Sequence, residues 1–404
     1  MGLKSKLSGW LGGQKSPETK ASAAAFTVQL GKNQPQFTPR RYDRLADEGY
    51  TRNVIAYRCV KLIAQNAATI PWRVKKGGQV LEDHALVELL KRPNPTQSQS
   101  EFIEAICAFL LIAGNSYVES VGPDEVAPNE LWALRPDRIQ VVPGAHGLPR
   151  AYRYTLNGKS YDFQVSGSDG VSRLLHMKSF HPLNDWYGLS PLEAAAFSID
   201  QHNEAAKWNT ALLQSSGRPS GALVYNPNNK DGYDSLTDEQ RQTLKSELEN
   251  YYQGAQHAGR PLVLEGGLDW REMALSPKDM DWTTGKDMAA REIALAFHVP
   301  PQLVGIDGSL TYANFEQARL AFFDDAVLPM VNHIRDELNN WLAPKFGSDV
   351  RLDYDRNAIE ALAPRREKIW KRVQEADFMT INEKRAALGL SELEDASANK
   401  ITQS

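Results

Sequence analysis

The sequence predicts an α+β fold made of several substructures, and three observations carry that expectation. A chain of 404 residues is longer than one hydrophobic core usually serves. Apolar residues recur three and four apart in windows such as 53–68 and 286–298, the period of a helix with one buried face. Short runs such as LWALRPDRIQVV and VRLDYD sit between turn formers and read as strands. With 42% hydrophobic and 24% charged residues, the composition is that of an ordinary soluble protein.

Residues 1–41 read as a flexible N-terminal arm. MGLKSKLSGWLGG sets Leu3, Leu7, Trp10 and Leu11 against Lys4 and Lys6, so it could lie on a surface as a short amphipathic helix. It lacks the long apolar stretch of a signal peptide, and residues 12 to about 40 hold little that could bury a core.

From Asn53 the pattern changes. A helix places Val54, Tyr57, Cys59, Val60, Ile63, Ala64 and Ala67 inward and stops before Pro71. Strands follow around the Lys76-Gly77-Gly78 turn, then a short helix at 84–90 and the turn PNPTQS, where Thr96 or Ser98 is a cap. A strongly apolar helix over 101–113 ends at Gly114 and leads into the strand NSYVES. Further short strands reach about Phe163, which gives a mixed α+β domain.

Ser190 caps a helix over 191–216, with Pro191 at its first position and Glu193 three residues after the serine. It mixes Leu192, Ala195, Ile199 and Trp208 with Asp200, His202, Asn203, Glu204 and Lys207. That is too polar for a domain centre and richer in small residues than a surface helix needs. Packing against copies of itself in a ring would account for both. Residues 217–277 form a small α/β unit. GALVY is a strand, Thr237 and Gln240 cap a helix, and RPLVLEGGLDWREMAL is two strands joined at Gly266-Gly267.

A second central helix runs from Lys286 to His298 and is ended by Pro300 and Pro301. Gly305, Asp307 and Gly308 are turn formers. Asn314, with Gln317 three residues on, is the expected cap of the next helix. That helix carries Phe315, Ala318, Phe322, Ile334, Leu338 and Trp341 on one stripe and should kink at Pro329. VRLDYD is a strand, PRREKIWKRVQEAD a basic helix, and Thr380 with Glu383 caps a last helix before a polar tail.

Several of these stretches carry a resemblance. EIALAFHVPPQLVG followed by TYANFEQARLAFFDDAVLPMVNHIRDELN resembles the most recognisable block of siphovirus-type tailed-bacteriophage portal proteins. HALVELLKRPNPTQSQSEFIEAICAFLLIAGNSYVE, LWALRPDRIQVV and LLHMKSFHPLNDWYGLSPLEAA resemble the family's wing region, in the family's order. The resemblance spans about 42–390 and implies a portal-type subunit. Its parts would be a wing at 42–190 joined by a kinked helix and strand at 314–355, and stem helices at 191–216 and 278–299. The clip would be 217–277, the tunnel loop 300–313, the crown 356–390 and the tail 391–404. It also implies a homo-oligomeric ring of twelve subunits, a channel for double-stranded DNA passing without sequence reading. The ring would dock the terminase large subunit and then a head–tail connector (adaptor) protein, and would sit within the major capsid protein shell. Its place would be the virion, with assembly in the host cytoplasm, in a phage or a gene transfer agent.

Chemistry points the same way. A net charge of −4 argues against a protein that grips nucleic acid through phosphates. Cys59 and Cys107 sit in apolar helical contexts and read as buried thiols, and no metal-ligand spacing accompanies them. No run reaches the length needed to span a bilayer. The sequence has no Walker-type glycine loop, G-x-S-x-G or H-E-x-x-H. The expectation is therefore a non-enzyme without cofactor, metal or membrane. The DNA-facing loop would comprise Gly305, Asp307, Gly308, Ser309, Leu310, Thr311 and Tyr312. Lys207, Lys286, Arg291, Arg365 and Arg366 are candidate phosphate contacts. The alternative is a metal-dependent nuclease using Asp353 and Asp355, which alternate along a strand and so share a face.

Overall fold

The computed structural model describes residues 42–81, 83–123, 127–144, 149–165, 172–214, 221–225, 237–252, 268–272, 282–306, 311–390 and 393–399. Helix starts follow the capping chemistry that the sequence offers. A short helix α1 (Tyr42–Arg44) runs into a π-helical turn (Leu45–Thr51). The Asn53 side chain accepts from the N–H groups of Ile55 and Ala56 and opens α2 (Val54–Ala68). His84 caps α3 (Ala85–Lys91), and Ser98 forms a reciprocal capping box with Glu101 at the start of α4 (Gln99–Ala113). Ser190 and Thr237 cap as expected, and Thr380 with Glu383 forms a second capping box on α12 (Ile381–Ala387).

Among the described residues the strands form four small antiparallel sheets. β1 (Trp72–Lys76) turns through Gly77 and Gly78, both at positive φ, into β2 (Gln79–Leu81). β3 (Asn115–Val121) pairs with β4 (Glu130–Leu134) and with β8 (Leu174–Lys178). β5 (Ile139–Pro143), β6 (Pro149–Leu156) and β7 (Lys159–Gln164) form the third sheet. β9 (Gly221–Tyr225) pairs with β10 (Leu268–Glu272). The strand RPLVL lies outside the described residues. β11 (Val350–Tyr354) returns from far along the chain to pair with β1, Trp72 opposite Tyr354 and Lys76 opposite Val350. That pairing ties 72–81 and 350–354 into one body.

The main core lies between α2, α4, β1 and β11, with Val60, Ile63, Phe102, Ile106, Leu110 and Leu352 buried. Cys59 and Cys107 are part of it, and burial pushes both thiols up to about 12. A smaller core of Tyr117, Ile139, Val141, Tyr152, Phe163 and Leu174 joins the β3 and β6 sheets.

Asn115 is the joint between the two regions. Its Oδ1 accepts from Gly188 N (2.8 Å) and from His176 Nε2 (2.9 Å), which stacks on Tyr117 at 4.4 Å. Burial, aided by Lys178, pulls the His176 pKa down to about 3. His176 is thus neutral in the folded chain where the unfolded chain takes up a proton. Stability from this group is complete above about pH 6.5 and falls by up to about 1.4 kcal/mol per pH unit toward pH 3. Urea unfolding at pH 7 and pH 5 should show a larger loss for the native chain than for His176→Gln; equal losses would contradict this.

Some boundaries differ from the sequence expectation. The helix expected over 191–216 is α5 (Pro191–Ala194) and α6 (Ala196–Gln214), broken at buried Ala195, whose N–H turns back to Glu193 O and Pro191 O. The next central helix, α8 (Trp282–Ala296), starts four residues earlier than Lys286 and ends through His298 at φ 55, before the prolines act. Asn314 is not a cap. Thr311 Oγ1 accepts from Asn314 N (3.3 Å) and opens α9 (Tyr312–Phe322). Thr311 has the extended backbone an N-cap needs (φ −83, ψ 150), so the helix starts one turn sooner. The irregularity expected at Pro329 is a π-helical turn (Phe323–Val327) just before α10 (Leu328–Trp341), where proline removes a ladder N–H. Val54 and Tyr57, expected inward, are exposed.

Candidate functional site

α6 and α8 lie against each other and form the centre of the candidate site. Their contact is made of small and β-branched side chains. α6 buries Ala196, Ile199 and Ala205, and α8 buries Ala289, Ala290, Ile293 and Ala294. Alanines at three-to-four spacing let two backbones approach closely. Ser198 Oγ donates to Glu292 Oε2 at 2.6 Å across the pair.

The polar residues of α6 that made it look too polar for a core have partners. Asn53 Nδ2 donates to Asn203 Oδ1 (3.0 Å) and sits 3.3 Å from His202 Nδ1. Asn203 Nδ2 donates to Glu48 O at 2.9 Å. Burial pulls the His202 pKa down, Lys286 adds to the effect and Asp287 opposes it. One asparagine thus caps α2 and fixes α6. Asn53→Ala removes a cap worth about 1 kcal/mol and leaves a buried acceptor on Asn203 unpaired, about 1–3 kcal/mol more. A combined loss of about 2–4 kcal/mol in chemical denaturation is expected; a loss below about 0.5 kcal/mol, the usual range for an exposed substitution, would contradict it.

The outer side of α8 mixes exposed apolar residues with exposed Arg291 and Glu292. Phe197 is 56% exposed, Met288 58% and Leu295 73%. Met288 and Leu295 are seven residues apart, two turns along one side of α8. Phe315, expected in the core stripe of α9, is also exposed.

The candidate loop follows α8. Pro301–Val304 makes a 3-10 turn, closed by Gly305 at φ 79, a left-handed value that favours glycine. Ile306 is buried and anchors the near end. Asp307, Gly308, Ser309 and Leu310 lie outside the described residues. Thr311 and Tyr312, expected within the loop, are the cap and first residue of α9.

The candidate phosphate contacts fall in two places. Lys207 pairs with Glu204 at 2.8 Å on α6, while Lys286 is half-buried and Arg291 exposed on α8. Arg365 and Arg366 stand instead on α11 (Ala363–Gln374), Arg365 on Asp324 at 3.0 Å and Arg366 on the Asn357 carbonyl.

Nuclease chemistry at Asp353 and Asp355 is not supported. Asp353 receives Lys75 (2.9 Å) and Arg73 (3.2 Å), which hold its carboxyl below the usual range despite burial that opposes them. Arg73 also reaches Asp355 at 3.5 Å, and Asp355 accepts from Asn357 N. Two cations occupy the place a metal would need. Among the described residues no group of three or more His, Cys, Asp or Glu is placed to hold a metal ion, and no helix is long and apolar enough to cross a membrane.

The sequence reading did not identify Asn53 as a cap or reveal the Asn53–His202–Asn203 joint. It also did not reveal which apolar residues stay uncovered, since spacing alone does not separate the two sides of a helix with apolar residues on both.

Comparison with known proteins adds to this geometry. A family profile described as Phage portal protein matches residues 55–389. A chain in the neck of an empty GTA (gene transfer agent) particle, computed with C6 symmetry, is 43% identical; the match covers 91% of this chain and 98% of that one, with a TM-score of 0.69. A chain in the neck of a native GTA particle, computed with C12 symmetry, is 42% identical, covers 90% and 97%, and has a TM-score of 0.67. The portal protein of Enterobacteria phage HK97 is 26% identical over 358 residues, 84% of this chain and 79% of that protein.

Proposed function

The chain belongs to the phage portal protein family, and from that premise we propose that it is the subunit of the ring-shaped channel at one capsid vertex of a phage-like particle. The family match over residues 55–389 is the observation that carries this, and the C12 symmetry of a neck with a 42% identical chain supports twelve subunits. Its role is structural: it shapes a path and supplies no chemistry. Identity of 43% to a GTA neck chain, against 26% to the HK97 portal, favours a gene transfer agent particle.

The finer assignment follows the helix pair. We assign the wing to 42–190 with 314–355, the stem to 191–216 and 278–299, the clip to 217–277 and the crown to 356–390, with 1–41 an N-terminal arm and 391–404 a tail. The exposed side chains of Phe197, Met288 and Leu295 face the next subunit. The clip receives the terminase large subunit during packaging and a head–tail connector afterwards, and the wing meets the major capsid protein. Assembly takes place in the host cytoplasm.

A channel must let a polyanion slide, which suits the net charge of −4. Residues 305–310 form the tunnel loop, held at one end by buried Ile306 and at the other by the Thr311 cap of α9, whose first residue is Tyr312. Leu310 and Tyr312 contact DNA by apolar and stacking contact without reading sequence. Lys207, Lys286 and Arg291 on the stem are weaker phosphate contacts, because Lys207 already holds a carboxylate. Arg365 and Arg366 are left out of the phosphate path, because Arg365 holds Asp324 and both line a cleft with three aspartates. Deleting 307–311 should leave ring assembly intact and lower the DNA content of particles. Unchanged DNA content would remove the loop assignment.

A further inference from the structure

A cleft of about 580 Å³ opens where α11 and α12 meet the β1–β11 edge. Its walls set six cations, Arg73, Lys75, Arg335, Arg356, Arg365 and Arg366, against three carboxylates, Asp324, Asp353 and Asp355. The carboxylates are already engaged, Asp353 with Lys75 and Arg73, Asp355 with Arg73, and Asp324 with Arg365. Arg366 is bound only to a backbone carbonyl, and Arg356 lies 5.8 Å from the Tyr354 ring centre. These two add positive charge that no carboxylate of the cleft takes up, on a chain whose net charge is −4. Trp370 stands on the cleft at 52% exposure with Ile369 beside it. Arginine beside a half-exposed tryptophan is the composition of a protein contact centre. A phosphate backbone has no use for the tryptophan and is repelled by the aspartates.

The complementary surface stands at the other end of α12. Buried Asn382, in its first turn, grips the following chain in both directions. Its Oδ1 accepts from Leu393 N at 2.8 Å, and its Nδ2 donates to Leu393 O at 3.1 Å. The grip presents Leu393, 43% exposed, followed by exposed Glu394 and Asp395. The result is an apolar and acidic tongue. The cleft takes its lining from the far end of the helix, at Ala387, Leu388 and Gly389. Asn382 and Ala387 are five residues apart on the helix, roughly 7.5 Å, so the segment held by Asn382 is set off from the lining of its own cleft. Two different complementary surfaces on one subunit are what a head-to-tail contact between identical copies requires, and repeated contacts of that kind close a ring.

We propose that the cleft of each subunit receives the Leu393–Asp395 segment of the adjoining copy. Leu393 lies against Trp370 and Ile369, and Glu394 sits on Arg356 and Arg366. This rests on the ring stated above and adds the contact that sets neighbouring C-terminal helices in register.

The test uses the full chain. Trp370→Cys combined with Leu393→Cys, mildly oxidised in purified rings, should give a ladder of linked subunits on a non-reducing gel. Either single variant should give none, and Cys59 and Cys107 are buried and stay silent. Arg356→Glu or Glu394→Arg alone should lower ring yield severalfold, and the two together should restore it. Intact rings without a ladder, indifferent to both reversals, would overturn the proposal and leave the ring standing. So would rings in which the Trp370→Cys thiol reacts freely until added DNA shields it, since phosphates then take the cleft. A native chain that forms no rings overturns both.

Discussion

Gly188→Ala is expected to yield little folded protein. A Cβ at residue 188 would stand 2.1 Å from Gly114 O, 2.6 Å from Ser179 N and 2.7 Å from Ser179 O. These are backbone atoms, so no side chain can swing aside. The same atoms carry the local ladder, because Ser179 N donates to Gly114 O at 2.9 Å and Gly188 N donates to Asn115 Oδ1 at 2.8 Å. Overpacking usually costs about 1–3 kcal/mol, and a clash confined to backbone belongs above that range. Gly114→Ala should be equally severe, since its Cβ would meet Gly188 O at 2.4 Å and its φ is 69. Gly158→Ala is the control. Its φ is also positive, at 77, but nothing lies within 4 Å, so it should cost only about 1–2 kcal/mol. Soluble yield and thermal unfolding of the three variants decide this. A Gly188→Ala protein as stable as the native chain would mean that the two backbones do not approach as described.

Leu295→Asp is expected to leave the subunit folded and abolish the ring. Leu295 is 73% exposed on α8, next to Ile293 and Ala294, which are buried in the main core. Its replacement therefore removes nothing from the subunit core. On the proposed ring contact it is interface, where burying a leucine side chain contributes about 1.5–3 kcal/mol. An aspartate there adds the cost of burying an unpaired carboxylate. The loss recurs at every contact of a closed ring, so its effect on assembly is compounded. Circular dichroism should be unchanged while the native mass falls to that of a single chain. Rings that persist would move the contact away from this side of the stem.

Helix existence and caps were legible because their causes are local. Ser98, Ser190, Thr237 and Thr380 are oxygen-bearing side chains ahead of apolar periods, and each accepts the bond its position allows. At the α9 start Asn314 was the expected cap and Thr311 was placed in the loop. Thr311 takes the role although asparagine ranks higher as a cap, because Thr311 has the extended backbone that an N-cap needs. The break at Ala195 had no signal at all, since alanine favours helix and only contact with α4 and α8 distinguishes the site. The β1–β11 pairing joins strands far apart in sequence, which no local period encodes. The candidate site was partly legible. Of the loop expected from its glycines and prolines, Gly305 takes the positive φ that favours glycine, residues 307–310 lie outside the described residues, and Thr311 and Tyr312 belong to a helix. Arg365 was proposed for phosphate, yet it holds Asp324, because charge in a sequence does not reveal which carboxylate the fold brings near. Asp353 and Asp355 were paired by strand alternation, while Arg73 and Lys75 came from the neighbouring strand.

Imaging the purified full chain by negative stain, together with its native mass, tests the portal assignment most directly. Rings with a central hole and a mass near twelve times the 45.1 kDa subunit are predicted. A species of 45.1 kDa at every concentration tested would contradict it.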